Sequence, residues 1–253
     1  MPVFLSFDMP QKLPPLSAGF CLVSAMLLTG CGGGGSNSTP PETNKPANSD
    51  FQGIWSSKSA NASTSTIVLP DLRMWTVVSE GSTLRLITAQ LATVGTKLSG
   101  EGKTYIIGTN GSSTTTVTLS KNYATAITVD IVAGSQKTSR LETYQSKYEV
   151  PVTLADFAKS WSAIVGVGKF NWTVSVTGAI TGNSSTGCTY AGQLTERPER
   201  KSVMEASITE TCVSTVTKLQ GISTLNVDKN QWNLVATTSD ATNGLVISLA
   251  TTP

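Results

Sequence analysis

From Phe51 to the end of the chain, apolar residues recur at alternate positions in short runs and almost nowhere at helical spacing. Segments of four to nine residues, rich in Val, Ile, Thr and Trp, are separated by Gly, Asn, Asp and Ser. Alternation of this kind commits a chain to antiparallel sheet, since it gives each strand one apolar and one polar face. Strands are expected at 64–69, 74–79, 84–91, 103–107, 114–120, 124–132 and 141–148. They are expected again at 160–165, 171–178, 188–194, 203–209, 213–219, 222–227, 232–237 and 245–250. Thr and Ser fill the outward positions, where a branched polar side chain suits a pleated surface. One short helix is expected at 154–159, with Thr153 placed to cap it.

The N-terminus has a different texture. An apolar run over 16–29 holds Phe20, Leu22, Val23, Met26, Leu27 and Leu28. It falls short of the about 20 apolar residues that a spanning helix needs. An apolar core ending in small residues makes a secretory signal. The run closes on Leu28, Thr29, Gly30 and Cys31, and four glycines follow. These four residues resemble the lipobox of bacterial lipoproteins in order, spacing and position. The resemblance implies that 1–30 is a signal peptide cut before Cys31, that a diacylglyceryl group joins the Cys31 sulfur, and that the freed amine is acylated. The leader departs from the pattern: Met1 to Met9 carries Asp8 and no basic residue, whereas a start at Met9 places Lys12 ahead of the apolar run. Each buried CH₂ of an acyl chain contributes about 0.8 kcal/mol, so several chains together hold a protein firmly on a membrane. Residues 31–50 then read as a flexible Gly/Ser/Pro tether with nothing apolar to anchor it. Its coil span is roughly 20–25 Å.

Of 253 residues, those from 31 onward suffice for one large all-β domain or two small ones. Charged residues make up 13% and the formal net charge is +2, which offers no clustered basic face for nucleic acid. There is no histidine, which excludes a Ser-His-Asp triad, a Cys-His dyad and every His-ligated metal site. No glycine-rich phosphate loop joins a strand to a helix. Asp130, Glu142, Glu149, Asp156 and Glu196 are scattered, without the pairing that acid–base work requires. No catalytic, cofactor or metal-ligating residue is expected.

Cys188 and Cys212 remain as an even pair in an exported chain, which predicts a disulfide. Their positions average to 200, inside the turn 196–201, so an antiparallel hairpin centred there sets them opposite one another. Arg197, Glu199, Arg200 and Lys201 make a charged hairpin tip, read as a solvated turn in preference to a contact for an anionic partner. Trp55, Trp75, Trp161, Trp172 and Trp232 are read as core in preference to the lining of a sugar or haem pocket.

Two local patterns repeat. Phe51, Trp55 and Ser56 recur in register as Phe157, Trp161 and Ser162; Asp71, Trp75 and Val78 recur as Asp228, Trp232 and Val235. Pro151 lacks the N–H that a ladder needs and marks a boundary between modules at 51–150 and 151–253. The fold class is therefore all-β: two small antiparallel modules, barrel or sandwich, behind a disordered tether. A Trp-bearing first strand followed by glycine-turn hairpins is similar to the up-and-down barrels of the lipocalin and avidin kind, in the second module above all.

Cys31-Gly32-Gly33-Gly34-Gly35-Ser36 also resembles the start of Neisseria-type surface lipoproteins, β-barrel proteins that capture host molecules. Gly32 stands where Asp often retains a lipoprotein in the inner membrane, so the resemblance implies the outer membrane. The expected function is a non-catalytic outer-membrane lipoprotein, exposed at the cell surface and binding a soluble protein or small molecule. The alternative is a periplasm-facing lipoprotein that supports envelope structure or assembly. The expected partners are the membrane, through Cys31, and that soluble ligand, with no nucleic acid.

Overall fold

A computed structural model of the protein describes residues 50–252, which belong to one compact unit. The expected signal peptide, Cys31 and the expected tether up to residue 49 lie outside the described residues. Among the described residues, no helix is long and apolar enough to cross a membrane.

Sixteen antiparallel strands close into two barrels of eight, each wound up and down in chain order. The first comprises β1 (Gly53–Lys58), β2 (Ala62–Val68), β3 (Arg73–Glu80), β4 (Thr83–Val94), β5 (Lys97–Ile106), β6 (Ser113–Tyr123), β7 (Ala126–Ala133) and β8 (Gln136–Gln145). The second comprises β9 (Ser160–Val165), β10 (Gly168–Val174), β11 (Ala179–Ser184), β12 (Cys188–Glu196), β13 (Val203–Cys212), β14 (Thr215–Leu225), β15 (Gln231–Thr238) and β16 (Gly244–Thr251). Between them lie a 3₁₀ turn, Ser146–Glu149, and the single-turn helix α1, Leu154–Phe157. Both modules are thus barrels rather than sandwiches, and neither leaves a free sheet edge. Closure falls to short seams: Ile54, Trp55 and Ser56 pair with Gln145, Tyr144 and Thr143, and Ser162 and Trp161 with Ala250 and Thr251.

Several strands differ from the expected pattern: β8 begins five residues before the expected 141, and β11 fills 179–184, between the expected 171–178 and 188–194. β1 was not expected, because only Ile54 and Trp55 are large and apolar within it; pairing on both sides supplies what its own composition lacks. β5 begins at Lys97, six residues earlier than the expected 103–107, through a Gly- and Lys-rich stretch carried by its neighbours β4 and β6. β14 is one strand where 213–219 and 222–227 were expected. Gly221 does not break it. A Cβ there would stand 1.9 Å from the Val235 carbonyl oxygen, so the missing side chain lets β14 and β15 close together.

The first sequence repeat has a structural counterpart. Trp55 Nε1 donates to the Phe51 carbonyl and Trp161 Nε1 to the Phe157 carbonyl, each at 2.8 Å and each buried. Both tryptophans stand on the opening strand of a barrel, held by the turn that precedes it. The second repeat has none. Trp75 lies on the third strand of its barrel and faces outward, whereas Trp232 lies on the seventh strand of the other and faces in. Its matched spacing is not a matched place.

Inside the second barrel Trp232 sits edge-on against Phe157, Trp161 and Trp172, with ring centroids 5.5–5.8 Å apart. Inside the first, Trp55 packs edge-on against Tyr144 at 5.1 Å, over Met74, Leu98, Leu119 and Ile127. Four of the five tryptophans are therefore core, as expected, and the fifth covers the outer wall between the barrels.

Candidate functional site

Cys188 and Cys212 are bridged, with Cα atoms 4.2 Å apart, in a hairpin whose register pairs them directly. The expected disulfide and the expected centre near residue 200 both hold. Glu210 lies beside the bridge and accepts a hydrogen bond from Tyr190 Oη at 2.7 Å; burial, and then this bond, raises the phenol above its ordinary range. With both sulfurs spent in the disulfide, this cluster offers no thiolate to a metal.

The charged tip of that hairpin is not a solvated turn. Arg197 is 7% exposed, and it bonds Glu199 at 2.5 Å, Glu205, and Asp71 of the first barrel at 3.3 Å. Glu205 in turn accepts two bonds from Arg73 of the first barrel, at 2.5 and 3.2 Å. Arg73 also holds Asp71 at 2.8 Å. Burial pushes the Asp71 carboxyl up, but Arg73 and Arg197 outweigh it and hold the group below its usual range. Lys201 pairs with Glu149, and the amide of Ser202 donates to the Tyr148 carbonyl at 3.1 Å. The tip clamps the linker and the first barrel. A buried arginine persists only when paired, and sequence spacing does not show that one of its three acids lies 126 residues away.

A second clamp forms at the turn after β15. Ala241, at φ 53°, presents its carbonyl to Lys103 Nζ at 3.0 Å, Ser112 Oγ at 3.3 Å and Tyr105 Oη at 3.4 Å. Asp240 braces that turn by accepting from Thr238 Oγ1 at 2.5 Å, Thr242 Oγ1 at 2.8 Å and the Thr242 amide at 3.1 Å. These bonds hold its carboxyl down to about 2. Gly244 lets the two barrels approach closely here: a Cβ would stand 2.8 Å from Tyr105 Cβ. Between the clamps the outer walls share an apolar layer, with Ile67, Leu69 and Leu86 on one side and Ile222, Val235 and Val246 on the other.

Within this junction lies a cleft of about 260 Å³. Register builds its floor, because Trp75, Thr88 and Lys103 are direct partners on β3, β4 and β5 and so share one outward row. Arg73 and Gln90 form the next row, Tyr105 walls one side, and Thr237 and Ala241 of the second barrel overhang it. The Trp75 indole N–H is buried without an acceptor. Tyr105 is pushed above its ordinary value, chiefly by burial and further by the charge of Asp240. A larger depression of about 510 Å³, on the outer wall over Ser160, Asn171, Thr173 and Thr181, holds no charged side chain.

Glu142, read from the sequence as one of several scattered acids, is fully buried inside the first barrel. Thr64, Thr66 and Thr76 are buried around the same interior, with Thr66 and Thr76 joined at 2.9 Å. Neither Glu142 oxygen makes a well-formed hydrogen bond. Burial raises its proton affinity, and the Thr64 and Thr66 hydroxyls and Arg140 only moderate the rise. Hydropathy favours Leu141 for the inner face, yet Leu141 is 56% exposed and its neighbour points in. A one-residue choice of face decides this, and sequence leaves it open.

No family model matches the sequence, and neither a curated protein nor a solved structure matches it.

Proposed function

We propose that this protein is an outer-membrane lipoprotein, anchored through Cys31 and exposed at the cell surface, which binds a soluble partner and performs no catalysis. The observation that carries the binding reading is the cleft between the clamped barrels, lined by donors from the first and overhung by the second. Junctions between modules are a preferred place for ligand sites, because two rigid walls can be shaped independently. The Leu28-Thr29-Gly30-Cys31 resemblance supports the anchor. The absence of histidine in the whole chain supports a non-catalytic role.

Antibody against the barrels should label intact cells, and Cys31→Ala should release the protein into the soluble envelope fraction. Labelling only after the outer membrane is opened would favour the periplasm-facing structural role. A Cys31→Ala protein that still sediments with membranes would reveal a second anchor.

A further inference from the structure

The cleft between the barrels is short of acceptors for the donors that surround it. Of its lining, Arg73 and Lys103 are cationic and no residue is acidic. Arg73 is already neutralised by Asp71 and Glu205. Lys103 is not: its ammonium carries three donors and bonds a neutral carbonyl, that of Ala241. The nearest acid on its own strand, Glu101, is exposed and is no part of the lining. Asp240, across the junction, accepts from the neutral hydroxyls of Thr238 and Thr242, and its charge is felt at Tyr105. Two strands from Lys103, across Thr88 in the same row, stands Trp75, 8% exposed.

We propose that this cleft binds a small organic carboxylate, with its charge on Lys103 and its apolar body against the Trp75 indole. The volume of about 260 Å³ limits the size, since drug-sized sites begin near 300 Å³. A bare inorganic anion would leave the indole face unused. A neutral ligand would leave the ammonium with its single carbonyl partner. The inference rests on the reading of this protein as a binding module, and it is independent of which side of the membrane the barrels face.

The purified full chain labelled with 5-fluorotryptophan gives one ¹⁹F signal for each of its five tryptophans, and Trp75→Phe identifies one of them. Benzoate is the probe, with benzamide and inorganic phosphate as controls. The Trp75 signal should move with benzoate at low millimolar concentration or below, equivalent to about −4 kcal/mol or tighter. Benzamide and phosphate should leave it in place. Lys103→Met should weaken benzoate by about tenfold or more while the other four signals stay where they are. If that variant disturbs the other signals, a salt titration of the unaltered protein decides: binding must weaken as sodium chloride is raised. A Trp75 signal that ignores benzoate at about 10 mM overturns the proposal. So does an equal response to benzamide or to phosphate, or a response indifferent to Lys103→Met or to salt. Failure here with positive cell-surface labelling would remove the ligand and keep the surface protein; the reverse would keep the ligand and move the protein to the periplasm.

Discussion

The two barrels have the same strand number, the same connectivity and the same Phe–Trp bond at their opening, yet they fill their interiors differently. The second is filled mainly by apolar side chains around Trp161, Trp172 and Trp232, with the buried Ser223 hydroxyl accepting the Trp232 indole N–H at 2.9 Å, and is stapled by a disulfide. The first keeps Thr64, Thr66, Thr76 and a buried, poorly paired Glu142. Closing an eight-stranded barrel requires a filled interior and a continuous ladder, and the rest of the filling is left open. The first carries the cost of a buried carboxyl and also forms the floor of the cleft.

The largest expected effect comes from removing the centre of the aromatic cluster. Trp232→Ala should cost about 3–5 kcal/mol in urea unfolding, since three rings lose their common neighbour. Trp75→Ala, on the outer wall, should cost less. Equal losses would mean that the two tryptophans are equally part of a core and that the contrast between interior and junction is false.

Next comes the staple. Cys188→Ser with Cys212→Ser opens a loop with a sequence separation of 24 and should cost about 3 kcal/mol. Hydrogen exchange should quicken chiefly in 160–251. Uniform quickening across both barrels would show that they unfold as one unit.

Glu142→Gln should act in the opposite direction, stabilising the protein at pH 7 by about 1 kcal/mol. Its folded proton affinity is raised, so the folded state holds the proton more tightly than the unfolded chain does. The penalty on the native protein is therefore absent at low pH, develops as pH rises past the unfolded carboxylate range near 4.3, and is complete above the folded value. The advantage of glutamine should fade as pH falls toward that range. An advantage independent of pH would mean that ionisation of Glu142 is not what costs stability.

The smallest effect is expected at the rim of the clamp. Asp71 is held below its ordinary value, so its contribution is present at neutral pH and is lost as pH falls through the folded value, the reverse of Glu142. Because the group is more than a third exposed, Asp71→Asn should cost well under about 1 kcal/mol. Its readout is protection of the Ser202 amide, which bonds Tyr148 across the linker. Unchanged protection would confine the clamp to Arg73, Arg197 and Glu205.

Period-two alternation with glycine and asparagine breaks fixed the class of fold from the sequence alone, because backbone pleat and burial leave such a chain few alternatives. The Cys188 and Cys212 arithmetic fixed one register, since an antiparallel hairpin has a single centre. The Phe–Trp repeat marked where each barrel opens, because the bond it makes spans only four residues. Tertiary structure alone decided which face of β8 turns inward, and so buried Glu142 in place of Leu141. It alone brought Asp71 to Arg197 and Lys103 to Ala241, across more than a hundred residues. A period of two states that a strand has two faces. Which of them is the inside, and what lies against the outside, depends on closure of the barrel and on the second barrel, which no local pattern records.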